Sequence, residues 1–145
     1  MNREAIKDFI LSNELYLLPL QSVKEGKCTC GNITCSSPGK HPLLRYSWKH
    51  VATNDPNKIE KWLGMENINY GIATGRKTND ENRLFVIDID AADHAFLDLM
   101  PRDTFHYRTG SGGWHFWFQT PYSVSNSASK LAPQVDVRGY GGYVV

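Results

Sequence analysis

Ala5, Ile6, Phe9 and Ile10 recur at helical spacing ahead of Ser12 and Asn13, which predicts an amphipathic helix over residues 2 to 12. An apolar run at 15 to 20 reads as a strand. From Gly26 to Pro42 the chain turns to Cys, Gly, Ser, Thr, Asn and Pro, a loop composition that something other than a core must hold in shape. Asp55 and Pro56 open the next helix as N-cap and first helical residue, Ile59, Trp62 and Leu63 form its apolar stripe, and Gly64 ends it. Strands are expected near 69 to 74, 83 to 89, 104 to 109, 114 to 119, 134 to 138 and 142 to 145, with one helix near 91 to 100. Thr109-Gly110-Ser111-Gly112-Gly113 reads as a tight connection between antiparallel strands, because Gly supplies the positive φ such turns need. The pattern is that of a mixed α+β domain, without internal repeats or low-complexity tracts.

One strand carries charge where packing does not ask for it. In Leu84-Phe85-Val86-Ile87-Asp88-Ile89-Asp90, alternation sends Asp88 and Asp90 to the face of Val86 and sends Phe85, Ile87 and Ile89 to the other. Two carboxylates this close raise each other's pKa unless a cation lies between them, so the pair either binds a metal or is strained. Val135-Asp136-Val137-Arg138 repeats the device, with Asp136 and Arg138 on one face. Taken alone, Asp136 is an ordinary residue paired with Arg138. Three carboxylates on neighbouring strands are what phosphoryl transfer with two bound metal ions requires.

Between these segments Ser111, Gly112 and Gly113 lead into the aromatic strand Trp114-His115-Phe116-Trp117-Phe118. Backbone N–H groups of such a loop form an anion nest, and a His at the strand start suits a phosphate oxygen. The plain alternative is a hairpin turn and a half-buried His115.

The three cysteines fall in Cys28-x-Cys30-x4-Cys35-x5-His41. Three thiolates and an imidazole make a closed tetrahedral zinc set that would order the 26 to 42 loop; His50 is an alternative fourth ligand. The rival reading leaves the thiols free and gives His41 to the Gly39-Lys40-His41-Pro42 segment, with Lys40 facing a phosphate or a template backbone.

Composition adds limits. At 145 residues the chain has room for one domain with a core, and a net charge of +1 confines any nucleic-acid contact to a local patch. The N-terminus has neither the apolar stretch of a signal peptide nor a run that spans a bilayer, so a cytoplasmic location without membrane contact is expected. Gly141-Gly142-Tyr143-Val144-Val145 reads as the middle of a strand, which points to a longer polypeptide.

The order hydrophobic-Asp-hydrophobic-Asp, small-x-His, hydrophobic-Asp-hydrophobic-Arg resembles the archaeo-eukaryotic primase superfamily, specifically the N-terminal domain of bifunctional DNA primase/polymerases of phages, plasmids and mobile elements. Its motifs match Asp88-Ile89-Asp90, Gly113-Trp114-His115 and Asp136; Gly39 to Pro42, Trp48, Asn69 to Gly75 and Thr109 to Gly113 are further landmarks, and most of the chain is covered. The resemblance implies an RRM-like antiparallel catalytic sheet with packed helices and a small N-terminal α/β subdomain, residues 1–145 forming one catalytic domain. It implies that Asp88, Asp90 and Asp136 hold Mg²⁺ or Mn²⁺ and that His115 contacts the incoming nucleotide's phosphates. It also implies a DNA template and primer, dNTP or NTP as substrate, and a helicase on a further part of the polypeptide or in trans. Arg138, on the face of Asp136, adds a guanidinium fork suited to phosphate.

Two enzyme rivals fail on residues. A haloacid-dehalogenase-type phosphatase wants Thr or Val four residues after its nucleophile, where Ala92 stands, and a rolling-circle endonuclease wants a second His where Trp117 stands. The rival of another class is a non-catalytic, zinc-bearing module that binds nucleotide or single-stranded nucleic acid on Tyr107, Trp114 and Tyr140. Against it stand the three carboxylates, which without metal repel phosphate.

Overall fold

The computed structural model describes residues 2–43, 48–78 and 80–145. The chain divides into two compact units, one running to Ala73 and taking in Val145, the other Thr74–Val144. Both are mixtures of helix and antiparallel strand. Among the described residues no helix is long and apolar enough to cross a membrane.

In the first unit, helix α1 (Arg3–Ser12) starts at Asn2, whose side chain accepts from the Ala5 N–H at 3.2 Å, and it buries Ile10. Strand β1 (Tyr16–Gln21) is followed by the short pair β2 (Val23–Lys24) and β3 (Lys27–Cys28). The turn between them, Glu25-Gly26, has positive φ at both residues, 51° and 75°, as a two-residue hairpin requires. Helix α2 (Trp48–Val51) is a single turn. Helix α3 (Pro56–Leu63) begins as its sequence predicts: Asp55 accepts from the N–H groups of Asn57 and Lys58, and Pro56 occupies the first turn. Ile59 and Leu63 are buried. Trp62 is not; it stays half-buried, and its carbonyl accepts from the Tyr70 hydroxyl at 3.0 Å. Strand β4 (Ile68–Ala73) pairs antiparallel with β1, from Tyr16 opposite Ala73 to Gln21 opposite Ile68. Leu17, Leu18, Leu20, Ile59 and Leu63 lie in this unit's core.

The second unit contains β5 (Arg83–Ile89), a 3₁₀ helix (Ala95–Leu99), β6 (His106–Arg108), β7 (Trp114–Thr120), β8 (Ser127–Ala132), β9 (Val135–Arg138) and β10 (Tyr143–Val144). Five of the strands form an antiparallel sheet in the order β6-β7-β5-β9-β8. Ile87, Ile89, Phe116, Val135 and Val137 are buried together, with Phe96, Leu97 and Met100 from around the 3₁₀ helix packed on them. Each of these large side chains contributes about 1.5–3 kcal/mol by leaving water. Phe85 and Phe118, opposite each other in the β5–β7 register, stack at 5.2 Å.

One expectation is corrected here, and one strand was not expected. The helix near 91 to 100 is one short 3₁₀ segment, started by the His94 ring, which accepts from the Phe96 N–H at 3.1 Å and contacts the Pro133 carbonyl at 2.9 Å. Strand β8 lies in a stretch, Ser127-Ala128-Ser129-Lys130-Leu131-Ala132, whose polar residues give no strand period, and a register shift interrupts its pairing with β9.

Thr74 and Gly75 enter this unit through backbone contacts. The Thr74 hydroxyl donates to the Gly139 carbonyl at 2.7 Å, the Thr74 N–H to Gly142 at 2.9 Å and the Gly75 N–H to Leu84 at 2.7 Å. Gly75 has φ of 73°, and a Cβ there would collide with the Tyr140 backbone. The Asn69 to Gly75 landmark thus ends in a packing requirement.

Candidate active site and metal centre

The antiparallel register of β6, β7, β5 and β9 places Tyr107 opposite His115, His115 opposite Asp88, and Asp88 opposite Asp136. One polar row therefore crosses four strands, on the sheet face opposite to Ile87, Ile89 and Phe116. Asp88, His115 and Asp136 are all buried. Every member of the row has a partner. Tyr107 Oη lies 2.8 Å from His115 Nδ1, and His115 Nε2 lies 3.3 Å from Asp88 Oδ1. Arg138 donates to Asp88 Oδ2 from Nε and Nη2, both at 3.3 Å, and to Asp136 Oδ2 from Nη2 at 2.8 Å. Asp136 Oδ1 accepts from the Ser129 N–H at 2.9 Å, so the unexpected β8 supports the site.

The charges follow this geometry. Burial pushes the Asp88 carboxyl up, but His115 and the Arg138 guanidinium outweigh it and hold the group below the usual carboxylate value. Burial, with the Asp88 charge adding to it, pushes the Tyr107 phenol above its ordinary value, so Tyr107 keeps its hydrogen.

The loop between β6 and β7 is the expected tight connection. The Gly112 N–H donates to Thr109 and the Thr109 N–H to Gly113, both at 2.9 Å, while Thr109 and Ser111 join hydroxyls at 3.1 Å. Gly112 has φ of 94°. Gly113 needs to be Gly for a different reason: a Cβ there would collide with the Ile89 carbonyl at the end of β5. The small residue of the small-x-His motif is therefore what lets β7 lie against β5, and β7 carries His115.

A second constellation lies in the first unit. Cys28, Cys30, Cys35 and His41 bring one ligand atom each to within 4.8 Å of one another, and Cys28 Sγ lies 3.3 Å from His41 Nε2. The β2–β3 hairpin delivers Cys28, and the Gln21 N–H, donating to the His41 carbonyl at 2.9 Å, ties the far end of the loop to β1. The N–H groups of Cys30 and Gly39, more than burial opposes them, lower the Cys28 thiol from 9.0 to about 6. At Cys35 the Ser37 N–H pulls down, but burial and the neighbouring thiols Cys28 and Cys30 outweigh it and leave that group above its ordinary value. Four soft and borderline ligands within one coordination sphere fit a tetrahedral metal ion. Trp48, one of the landmarks, is half-buried and lines a cleft beside Cys30, Cys35 and His41. His50 is exposed on α2 and is not part of the set.

Residues 10–145 match the family model of the bifunctional DNA primase/polymerase, N-terminal domain. The chain belongs to this family. No curated protein and no solved structure matches it. Membership in this primase/polymerase family means a nucleotidyltransferase lineage whose substrates are DNA and nucleotides.

Within the primase/polymerase domain the residues singled out in the sequence fall into three groups. Asp88, Asp136, Arg138 and His115 are brought together. Asp90 lies just past the end of β5, exposed, its N–H donating to the Gln134 carbonyl at 2.9 Å. Among the described residues, the three carboxylates are not gathered within 4.8 Å as the cysteine cluster is. By donor type they fit a hard divalent ion, with oxygen ligands only; by placement, Asp88 and Asp136 form a pair shared with Arg138, and Asp90 is the exposed member. Lys40 is exposed in the first unit.

Tyr107 was not legible as a member of the row, because only the β6–β7 register brings it to His115. His106 stacks on Phe116 at 5.0 Å and contacts the Thr104 carbonyl with Nδ1. Trp114 is also engaged, its indole N–H donating to the Ala92 carbonyl at 3.2 Å, whereas Tyr140 is exposed.

Proposed function

We propose that this chain is a template-directed DNA primase/polymerase domain acting in the replication of a phage, plasmid or mobile element. In this reading residues 1–145 form one catalytic domain whose five-stranded sheet is the RRM-like core. The observation that supports it most is the row itself: Asp88 and Asp136 are in register across β5 and β9, with His115 in register on the other side of Asp88. A structural ion pair needs one carboxylate and one base; two buried carboxylates, a guanidinium and an imidazole in one line suit polyphosphate chemistry better.

Asp88, Asp90 and Asp136 offer the oxygen ligands for Mg²⁺ or Mn²⁺, which when bound neutralise phosphate charge and favour ionisation of the attacking 3′-hydroxyl. The chain's own groups then have separate tasks. Arg138 presents a fork of N–H donors that pairs with phosphate oxygens as readily as with carboxylates. His115 offers Nε2–H to a phosphate oxygen; its 3.3 Å contact with Asp88 is long, so that hydrogen is only weakly held there. The Ser111, Gly112 and Gly113 turn supplies backbone N–H groups for the triphosphate, and Lys40 supplies charge for phosphate or template. Cys28, Cys30, Cys35 and His41 hold structural zinc. A helicase, carried on a further part of the polypeptide or in trans, completes the partner set, and the reading places the protein in the cytoplasm.

The test is extension of a labelled primer on a DNA template with Mg²⁺ or Mn²⁺, comparing the chain with Asp90→Ala. Asp90 is exposed, so its loss removes a carboxylate without emptying packed space. Extension by the parent and a loss of at least a hundredfold in the variant is expected. Equal extension by both, or none by a folded parent, rejects the reading and leaves the non-catalytic zinc-bearing module.

A further inference from the structure

Tyr107 meets His115 through its hydroxyl and the edge of its ring. Its hydroxyl is 2.8 Å from His115 Nδ1, and the two rings meet edge-on at 5.2 Å with 70° between their planes. On its other side the imidazole faces Asp88 with Nε2, 3.3 Å from Oδ1, and His115 is only 5% exposed. Both ring nitrogens are thus committed to protein partners.

For a neutral imidazole the hydrogens in this chain of contacts can be assigned from the partners. An ionised carboxylate accepts and never donates, so the nitrogen facing Asp88 carries a hydrogen. A neutral imidazole has one N–H, which leaves Nδ1 as a lone pair. The phenol of Tyr107 has one hydrogen to give and donates it there. The alternative tautomer sets two lone pairs against each other at Nε2 and Asp88, and two hydrogens against each other at Nδ1 and Tyr107.

We propose that Tyr107 is a positioning residue of the nucleotide site: its hydroxyl fixes the His115 ring so that Nε2 presents a hydrogen, not a lone pair, to an incoming phosphate oxygen. This rests on the reading of the row as a nucleotidyl-transfer site. Asp88 enforces the same tautomer only while its carboxylate faces the ring. Once the carboxylate is engaged elsewhere, Tyr107 is the hydrogen-bond partner among the described residues that still holds the ring in that orientation. The role belongs to the phenol oxygen, so removing one atom tests it without emptying the space the ring fills.

The experiment is a double-mutant cycle on nucleotide affinity, by calorimetric titration of a dNTP in the presence of Mn²⁺. Tyr107→Phe and His115→Ala should each weaken binding, the first by about fivefold, the value of one hydrogen bond. In the His115→Ala background, Tyr107→Phe should then be silent, since it acts only through the ring. If the parent binds nucleotide and Tyr107→Phe binds equally, or if the two losses multiply, the positioning role is wrong and the nucleotidyl-transfer reading stands. If the folded parent binds no nucleotide, that reading falls and takes the positioning role with it. The ¹⁵N spectrum of His115 at pH 8 gives a readout without nucleotide. Nδ1 should be an unprotonated acceptor whose signal moves in Tyr107→Phe; a hydrogen on Nδ1 in the parent, or an identical signal in both proteins, overturns the proposal.

Discussion

Asp88 and Asp136 stand opposite each other on adjacent strands, and a single guanidinium, Arg138, holds both, at 3.3 and 2.8 Å. Sequence alternation anticipates that Asp136 and Arg138 share a face; the register adds that they share it with Asp88. The positive group that two neighbouring carboxylates demand is thus supplied from within the sheet.

Replacing Arg138 by Met leaves two buried carboxylates facing each other. Arg138 is itself 37% exposed, so the loss is smaller than for a fully enclosed ion pair. A fall in unfolding free energy of about 1–3 kcal/mol at pH 7 is expected from urea denaturation. The double variant Asp88→Asn with Arg138→Met should lose less than the sum of the single changes, because the partners are coupled.

The same contacts fix a pH dependence. Asp88 is held below its unfolded value, so it binds a proton more weakly in the folded state, and its contribution to stability is present above the ordinary carboxylate range. That contribution disappears as pH falls through the depressed value. The stability difference between the protein and Asp88→Asn should therefore be level above about pH 5 and shrink steadily below about pH 4. A difference that grows on acidification contradicts the depressed assignment.

Gly112 and Gly113 should respond differently to alanine. At Gly112 the space around a Cβ is open and only the positive φ of 94° opposes it, so Gly112→Ala should cost about 1–2 kcal/mol. At Gly113 the Ile89 carbonyl blocks the Cβ, so β7 has to move away from β5. Gly113→Ala should cost about 2–4 kcal/mol and also displace His115. Urea melts of the two variants, with the His115 ring signals as a local probe, check both statements.

Zinc should purify with the protein at one ion per chain, and Cys35→Ser should abolish it. Because the Cys28 thiol is lowered to about 6, the free site already holds a thiolate at neutral pH, and zinc retention should fall as pH drops below that value. Metal analysis after dialysis at a series of pH values measures this. Protein purified without chelator and found free of zinc rejects the site.

The parts of this site that could be read from the sequence are those that depend on alternation within one strand: Asp88 against Ile87 and Ile89, and Asp136 and Arg138 against Val135 and Val137. The caps of α3 were legible for a similar reason, since Asp55, Pro56 and Gly64 act on their own helix end. What stayed hidden depends on register between strands. Tyr107 reaches His115, and Ser129 reaches Asp136, only because particular residues lie opposite each other. Asp90 shows the limit of alternation: its parity with Asp88 is right, but β5 ends at Ile89, and Asp90 stands exposed just past the strand while Asp88 is buried. The grouping of Cys28, Cys30, Cys35 and His41 was legible because the four residues lie close together in sequence.

The row joins residues 88, 107, 115 and 136, so no stretch of chain shorter than 49 residues holds the site. During synthesis β7 emerges before β9, so the partner of Asp88 on that side, His115, is available while its other flank is still bare. Only when β9 emerges does Arg138 arrive to balance the charge. The acidic pair is therefore complete only once β9 has been made, and a chain ended before Val135 carries half a site and a central strand with one bare edge, open to proteolysis.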